Sequence, residues 1–237
     1  MKYPFSDATT KIRRAQKHLA ELETEAAAFI ASNPARFTVE LAEARGGIEF
    51  NFTLNVEAAP EWLGAIIGDV IHNLRTALDL TACEIVRAAD ENDEDVYFPF
   101  SKSADELEHM IKKRKFNRAG TDAVALLVSM KPHHNGNAAL RAIHDLDIQD
   151  KHRALIPNAI TTASPVIQMW EDDGRINPRV IGDPNAPTEI KLIFPNEVGL
   201  AGREIIPTLH ELVQLVDGIV EAFRALANRD TAAIDAP

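Results

Sequence analysis

The chain has a single cysteine, Cys83, in 237 residues. A lone thiol rules out an intrachain disulfide and any zinc site built on cysteine pairs, so a metal would have to be held by histidine and carboxylate. Long apolar runs are also missing: nothing approaches the roughly 18 consecutive residues of a membrane span. The segment Met1 to Arg14 carries Lys2, Asp7, Lys11, Arg13 and Arg14 without an apolar stretch of signal-peptide length. A cytoplasmic protein without a membrane partner is the expectation. Positive charge is in deficit, with 25 Lys and Arg against 36 Asp and Glu and a formal net charge of -11. Such a surface repels a phosphate backbone beyond the reach of local basic patches, which disfavours non-specific nucleic-acid binding but leaves a local site open. There is no phosphate-binding glycine loop, dinucleotide fingerprint, nucleophile elbow or metalloprotease histidine pair. No cofactor is expected.

The composition that remains is that of a compact globular protein, 46% hydrophobic and 26% charged. Its length suits one domain over residues 1–237, with no internal repeat. Ser6 or Asp7 can cap a first helix over 7–32, whose apolar positions Ile12, Ala15, Leu19, Leu22, Ala26 and Phe29 recur at three and four. Phe37, Val39 and Leu41, then Ile48, Phe50, Phe52, Leu54 and Val56, alternate around Gly46 and Gly47, which predicts a hairpin over 36–57 with one apolar face. A helical body follows over 60–153, interrupted by an acidic loop from Asp90 to Asp95 that returns at Tyr97, Phe98, Pro99 and Phe100. Short helices are expected from Ala104 to Lys113 and from Thr121 to Met130, and another capped by Asn137. Short strands are expected over 154–195, a last helix over 205–227 and a frayed tail over 228–237. The fold class is therefore mainly α with a small β component.

One dense basic cluster, Lys112, Lys113, Arg114, Lys115 and Arg118, reads as a solvated helix end, with an anion or RNA contact as the alternative. His133 and His134 read as exposed turn residues.

The helix around residues 61–86 is the more informative. Leu63, Ile67, Val70, Leu74, Leu78, Thr81 and Ile85 define its buried stripe, and His72, Thr76, Asp79 and Cys83 fall opposite with Arg75 at their edge. Gly64 and Gly68 lie one and two turns earlier on that polar side. Glycine in a helix interior costs about 1 kcal/mol relative to alanine, so two at this spacing suggest close approach of another backbone. The natural partner is the segment from Arg141 to Arg153, where Ala139, Ile143 and Leu146 mark the buried side, Asp150 falls with them and Asp147 sits at the border. Buried carboxylates need a cation. Arg75 or His72 can supply it for Asp147 or Asp150, and Arg75 is the better placed of the two.

The run Gly68-Asp-Val-Ile-His72-Asn-Leu-Arg75-Thr-Ala-Leu-Asp79, then Phe98-Pro99, then His144-Asp-Leu-Asp147-Ile-Gln-Asp150-Lys-His152-Arg153, resembles a widespread group of uncharacterised bacterial and phage proteins. In that group a histidine usually follows the Asp of the first motif, five positions after the Arg. This spacing is similar to that of the HEPN superfamily of helical dimers, which includes metal-independent ribonucleases, nucleotide-binding proteins and non-catalytic members. The resemblance implies an HEPN-like bundle, a homodimer, a nucleotide or RNA as partner, and a phage or defence context. Here position 80 is leucine. Metal-independent RNA cleavage needs a histidine to move a proton and an arginine to stabilise charge on phosphate, so His72 is the residue left to replace the missing base. Arg13 with His18, and Arg203 with His210, have similar spacings outside the matched region.

The candidate catalytic residues are thus His72, Arg75, Asp79, His144, Asp147 and Asp150, and the candidate binding residues Asn73, Lys151, His152 and Arg153. A metal-dependent hydrolase with His and Asp ligands and a non-enzymatic interaction module are the alternatives.

Overall fold

A computed structural model describes residues 5–44, 47–152, 155, 157–161, 166–172, 175–181, 190–196 and 199–234. The described chain is mainly helical, with small antiparallel strand pairs.

Helix α1, Ser6–Ala31, buries Ala8, Ile12, Ala15, Leu19, Leu22 and Ala26, the stripe its spacing predicts. Its start differs from expectation. Phe5 occupies the capping position in a left-handed conformation, with φ 62°, and no side chain of its own segment caps the helix. Glu84, from the next helix, lies there instead. Burial raises its carboxyl above the ordinary range, while hydrogen bonding from the Ala8 and Asp7 backbone opposes that shift. An anion at a helix start is favoured by the dipole and by the unpaired N–H groups, so a tertiary contact replaces a local cap.

Strands β1, Ala35–Ala44, and β2, Gly47–Val56, form the expected hairpin. Its register opposes Phe37 to Leu54, Val39 to Phe52 and Leu41 to Phe50. The expected packing of its apolar face falls on side chains outside the described residues.

Helix α2, Glu61–Ala88, is the centre of the molecule and packs against α1 and against two later helices, α5, Ala138–Asp150, and α6, Ile205–Ile234. Its predicted stripe is buried throughout, but so are Ile66, Ile71, Ala77, Ala82 and Val86, because neighbours cover more than one side. Leu80 packs against the rim of the core. Between α2 and α5 come α3, Ala104–Lys113, capped by the Ser103 side chain, a short 3-10 helix, Phe116–Ala119, and α4, Thr121–Ser129. Asn137 caps α5 as expected, accepting from the Leu140 N–H at 3.0 Å.

After α5, β3, Asn158–Thr161, pairs antiparallel with β6, Ile190–Ile193, and β4, Val166–Asp172, pairs antiparallel with β5, Arg175–Ile181. Helix α6 runs past the expected stop at 227. No glycine or proline interrupts Asn228 to Ile234, so nothing local ends the helix where a tail was expected.

The part of the basic cluster beyond α3, Arg114, Lys115 and Arg118, is a clasp. The Lys115 ammonium lies 2.8 Å from the Asp95 carboxylate, and Arg118 donates to the Asn92 carbonyl at 2.7 Å. Arg114 sits over the Tyr97 ring, 5.3 Å from its centre. These cations fasten the acidic loop that leads into Phe98 and Phe100, both buried. Among the described residues, no helix is long and apolar enough to cross a membrane.

Because Leu74 is fully buried in the α2 core, Leu74→Ala should lose about 2–5 kcal/mol of unfolding free energy. Urea denaturation measures this as a lower midpoint with an unchanged slope. A loss under about 0.5 kcal/mol, the range of surface substitutions, would contradict the placement.

Candidate functional site

Where α2 meets α5, Gly68 replaces a side chain with space, and Asp150 fills it. A Cβ at position 68 would lie 2.3 Å from Asp150 Oδ1, closer than such atoms pack. The glycine permits the approach, although what approaches is a carboxylate and not a second backbone. One turn on, His72 Nδ1 lies 2.9 Å from Asp147 Oδ1, and Lys151 Nζ lies 2.6 Å from Asp147 Oδ2. The histidine side chain is 54% exposed and the aspartate side chain only 6%. Burial by itself would raise the Asp147 carboxyl, yet hydrogen bonds from Lys151 and His72 hold it below the usual range. Asp150 has the opposite balance. Burial, then the neighbouring Asp147 and Asp69, push it up, against weaker opposition from His72 and Lys151.

The expected contact of Arg75 with Asp147 or Asp150 is not formed. Arg75 NH1 lies 2.5 Å from Asp79 Oδ1, one turn along the same helix. That contact is ionic and poorly aligned as a hydrogen bond, since NH1 has no partner by hydrogen-bond geometry. Arg75 Nε faces His144 Nδ1 at 3.4 Å, and the guanidinium lies 4.9 Å from the centre of the Phe100 ring. Phe100 in turn stacks on the His144 imidazole, with centres 4.7 Å apart and planes 10° apart. Asp79 also accepts from the Phe98 N–H at 2.9 Å. The reason for the difference is local: Asp79 follows Arg75, and Lys151 follows Asp147, each by four residues, so both charges find partners on their own helices.

Depth also differs from expectation, because Asp147 is the deeply buried carboxylate and Asp150 the half-buried one. His144 is half-buried, and its pKa is lowered to about 4 by burial and by Arg75 and Arg141. It is therefore neutral at pH 7, an acceptor beside a buried cation. Asn73 donates to the Asp69 carbonyl on its own helix at 2.8 Å, which spends its amide inside α2. His152 is exposed just past α5. Arg153 lies outside the described residues.

The sequence constellation thus separates into two parts. Arg75, Asp79, His144 and Phe100 form an inner network. His72, Asp147, Lys151 and Asp150 form an outer one that reaches solvent, with Asp69 close enough to act on Asp150. Neither Asp69 nor Phe100 was singled out by sequence. Asp69 carried no periodic signal, and Phe100 looked like one more apolar residue of the returning loop.

Other candidate residues are placed elsewhere. His133, expected to be exposed, is 7% exposed. Pairing of Ser101 with His133, and donation by the Ser101 N–H to the Pro132 carbonyl, cover the turn. His134 stays exposed, 3.8 Å from Asp145, whose carboxylate is gripped by both Arg141 Nε and NH2. His18 is buried beside Glu21 and Asp69, His210 pairs with Glu23, and Arg203 with Glu211. Among the described residues, no three His, Cys, Asp or Glu side chains are grouped to hold a metal ion.

Chemically, the outer part contains an imidazole fixed through Nδ1 by a buried carboxylate. That leaves Nε2 as the nitrogen free to exchange a proton, which is the orienting half of a general acid–base system. No family model, curated protein or solved structure matches the chain.

Two outcomes test this partition. The unfolded chain protonates His144 near its ordinary value of 6.5, and the folded chain only near 4. Stability from this residue is therefore intact above about 6.5, falls as the pH drops towards 4, and is constant below, with a total loss of up to about 3 kcal/mol. His144→Phe retains a ring for the stack and should flatten the pH dependence of urea unfolding across that window. An unchanged slope would contradict the assignment.

Arg75 is only 9% exposed. Arg75→Ala leaves Asp79 without its cation and should cost about 3–5 kcal/mol. Arg75→Lys should recover only part, because an ammonium cannot reach both His144 and Asp79 as a planar fork does. A loss under about 1 kcal/mol in the alanine variant would put this charge in the class of solvated surface pairs.

Proposed function

We propose that this chain binds a nucleotide, or one nucleotide of an RNA, at the His72–Asp147 pair, and that His72 moves a proton there without a metal. The observation that carries the reading is a half-exposed imidazole held 2.9 Å from a buried carboxylate, itself tied down by Lys151. The reading takes the helical body as HEPN-like and the working unit as a homodimer in a phage or defence context, as the motif resemblance implies. It changes the division of labour that the resemblance suggests. Arg75 is held inside by Asp79 and His144, so charge on the ligand falls to Lys151, which it would share with Asp147, and to His152 and Arg153, the next two residues of the sequence. A single nucleotide suits the site better than a long polyanion. The net charge is -11, and Lys115 and Arg118 of the dense basic cluster are already engaged by the acidic loop.

One observation favours a second reading, the non-enzymatic interaction module. The arginine that nuclease chemistry would need is buried and serves the packing of α2 against Phe100 and α5. Both readings share the binding site and differ in turnover.

The test incubates the full chain with nucleoside monophosphates and short RNAs in the presence of a chelator, reading binding and cleavage separately. Catalysis predicts cleavage that persists in chelator and falls about 10²–10⁴-fold in His72→Asn. Asp147→Asn should slow it as well, by releasing the imidazole. Binding without cleavage would leave the interaction module, and cleavage that requires an added divalent ion would promote the hydrolase alternative. Absence of binding by every nucleotide and RNA would end the proposal.

A further inference from the structure

Asp150 is the feature that the dyad leaves unexplained. Its carboxylate rests on the bare α2 backbone at Gly68, where any side chain would displace it. It is half-buried, and two other carboxylates, Asp147 and Asp69, act on it from α5 and α2. Asp147 takes both Lys151 and His72. Among the described residues, no hydrogen-bond donor or cation is paired with Asp150. A half-buried anion in repulsive company is a cost to the folded chain, and the cost is relieved when a donor arrives from outside.

We infer that Asp150, seated on Gly68 beside the His72–Asp147 pair, recognises the ligand by accepting two adjacent N–H groups, as the Watson–Crick edge of guanine presents. The inference rests on the nucleotide reading above and names the base. An ionised carboxylate only accepts, and its two oxygens match two neighbouring donors. Guanine offers such a pair in its ring N–H and its exocyclic amine. Adenine and cytosine place an acceptor next to the amine, and the uracil N–H lies between two carbonyls, so each sets a lone pair against the carboxylate. The acidic surroundings that disfavour a polyanion favour a donor edge. With the base at Asp150, the remainder of the nucleotide reaches His72 and Lys151, one helical turn along α2 and one residue along α5.

The experiment is calorimetric titration of the full chain with guanosine and adenosine monophosphates in chelator at neutral pH. Wild type should bind the guanosine nucleotide at least about tenfold more tightly, because a site built to hydrogen-bond a group rejects the analogue lacking it. Asp150→Asn should bring the two affinities together by replacing one acceptor with a donor. It should also fold, since no partner is removed and repulsion from Asp147 and Asp69 is relieved. Gly68→Ala should erase the preference in the same way while leaving every charge in place, and thermal melting reports whether each variant is folded. Equal affinities in wild type, or a guanosine preference that survives in folded Asp150→Asn, would overturn the inference and leave the nucleotide reading standing. If neither nucleotide binds, the inference falls together with that reading.

Discussion

Burial of the Arg75 guanidinium is the constraint around which the centre of the molecule is arranged. A cation inside a helical core is tolerable only when its charge and its flat faces are both occupied. Asp79 supplies the counter-charge from the next turn, His144 an acceptor from α5, and Phe100 an aromatic ring from the returning loop. Three elements distant in the chain are thereby brought to one point. The neutrality of His144 is part of the same arrangement, since a second cation beside Arg75 would be repelled. The Phe98–Phe100 segment is placed by Asp79 on one side and by packing with His144 on the other.

The inner network has a consequence for the outer one. Because α2 and α5 are locked together at Arg75 and His144, Asp147 is presented to His72 at a fixed distance without help from a flexible loop. The His72–Asp147 pair is therefore held by one residue from each of two helices, which keeps such a constellation more precise than loop mounting does. Arg75 points its charge at Asp79 and His144, away from the His72–Asp147 pair, so the arginine and the exposed histidine of α2 belong to separate networks.

The elements with strong periodicity were legible in the sequence. The α2 stripe from Leu63 to Ile85, the alternation that sets the hairpin register and the Asn137 cap are all local patterns, and the structure follows them. Legibility stopped where a tertiary contact decided the outcome. Ser6 and Asp7 looked like caps, but Phe5 holds the capping position and Glu84, 77 residues beyond Asp7, meets the helix start. The glycine at 68 correctly signalled a close approach, yet could not say that a carboxylate would fill the space. The pairing of Arg75 does not read through, because a carboxylate four residues along the same helix competes with those across the helix junction and spacing does not rank them. His133 failed for a related reason, since nothing in a Pro-His-His turn reveals that Ser101 will cover it. The nine described candidate residues sit on or just after α2 and α5, but their roles divide by which neighbours they meet, and sequence spacing does not display those neighbours.

The Phe98 amide provides a view of this arrangement from inside. Its proton is held by Asp79, the same carboxylate that pairs with Arg75, and its side chain is buried. Solvent can reach that proton only when the returning loop lifts from α2. Its exchange with deuterium therefore acts as a clock for opening of the junction between the two helices, distinct from fraying at the helix ends. A single resonance, followed over time, would report how often the inner network parts while the rest of the chain stays folded.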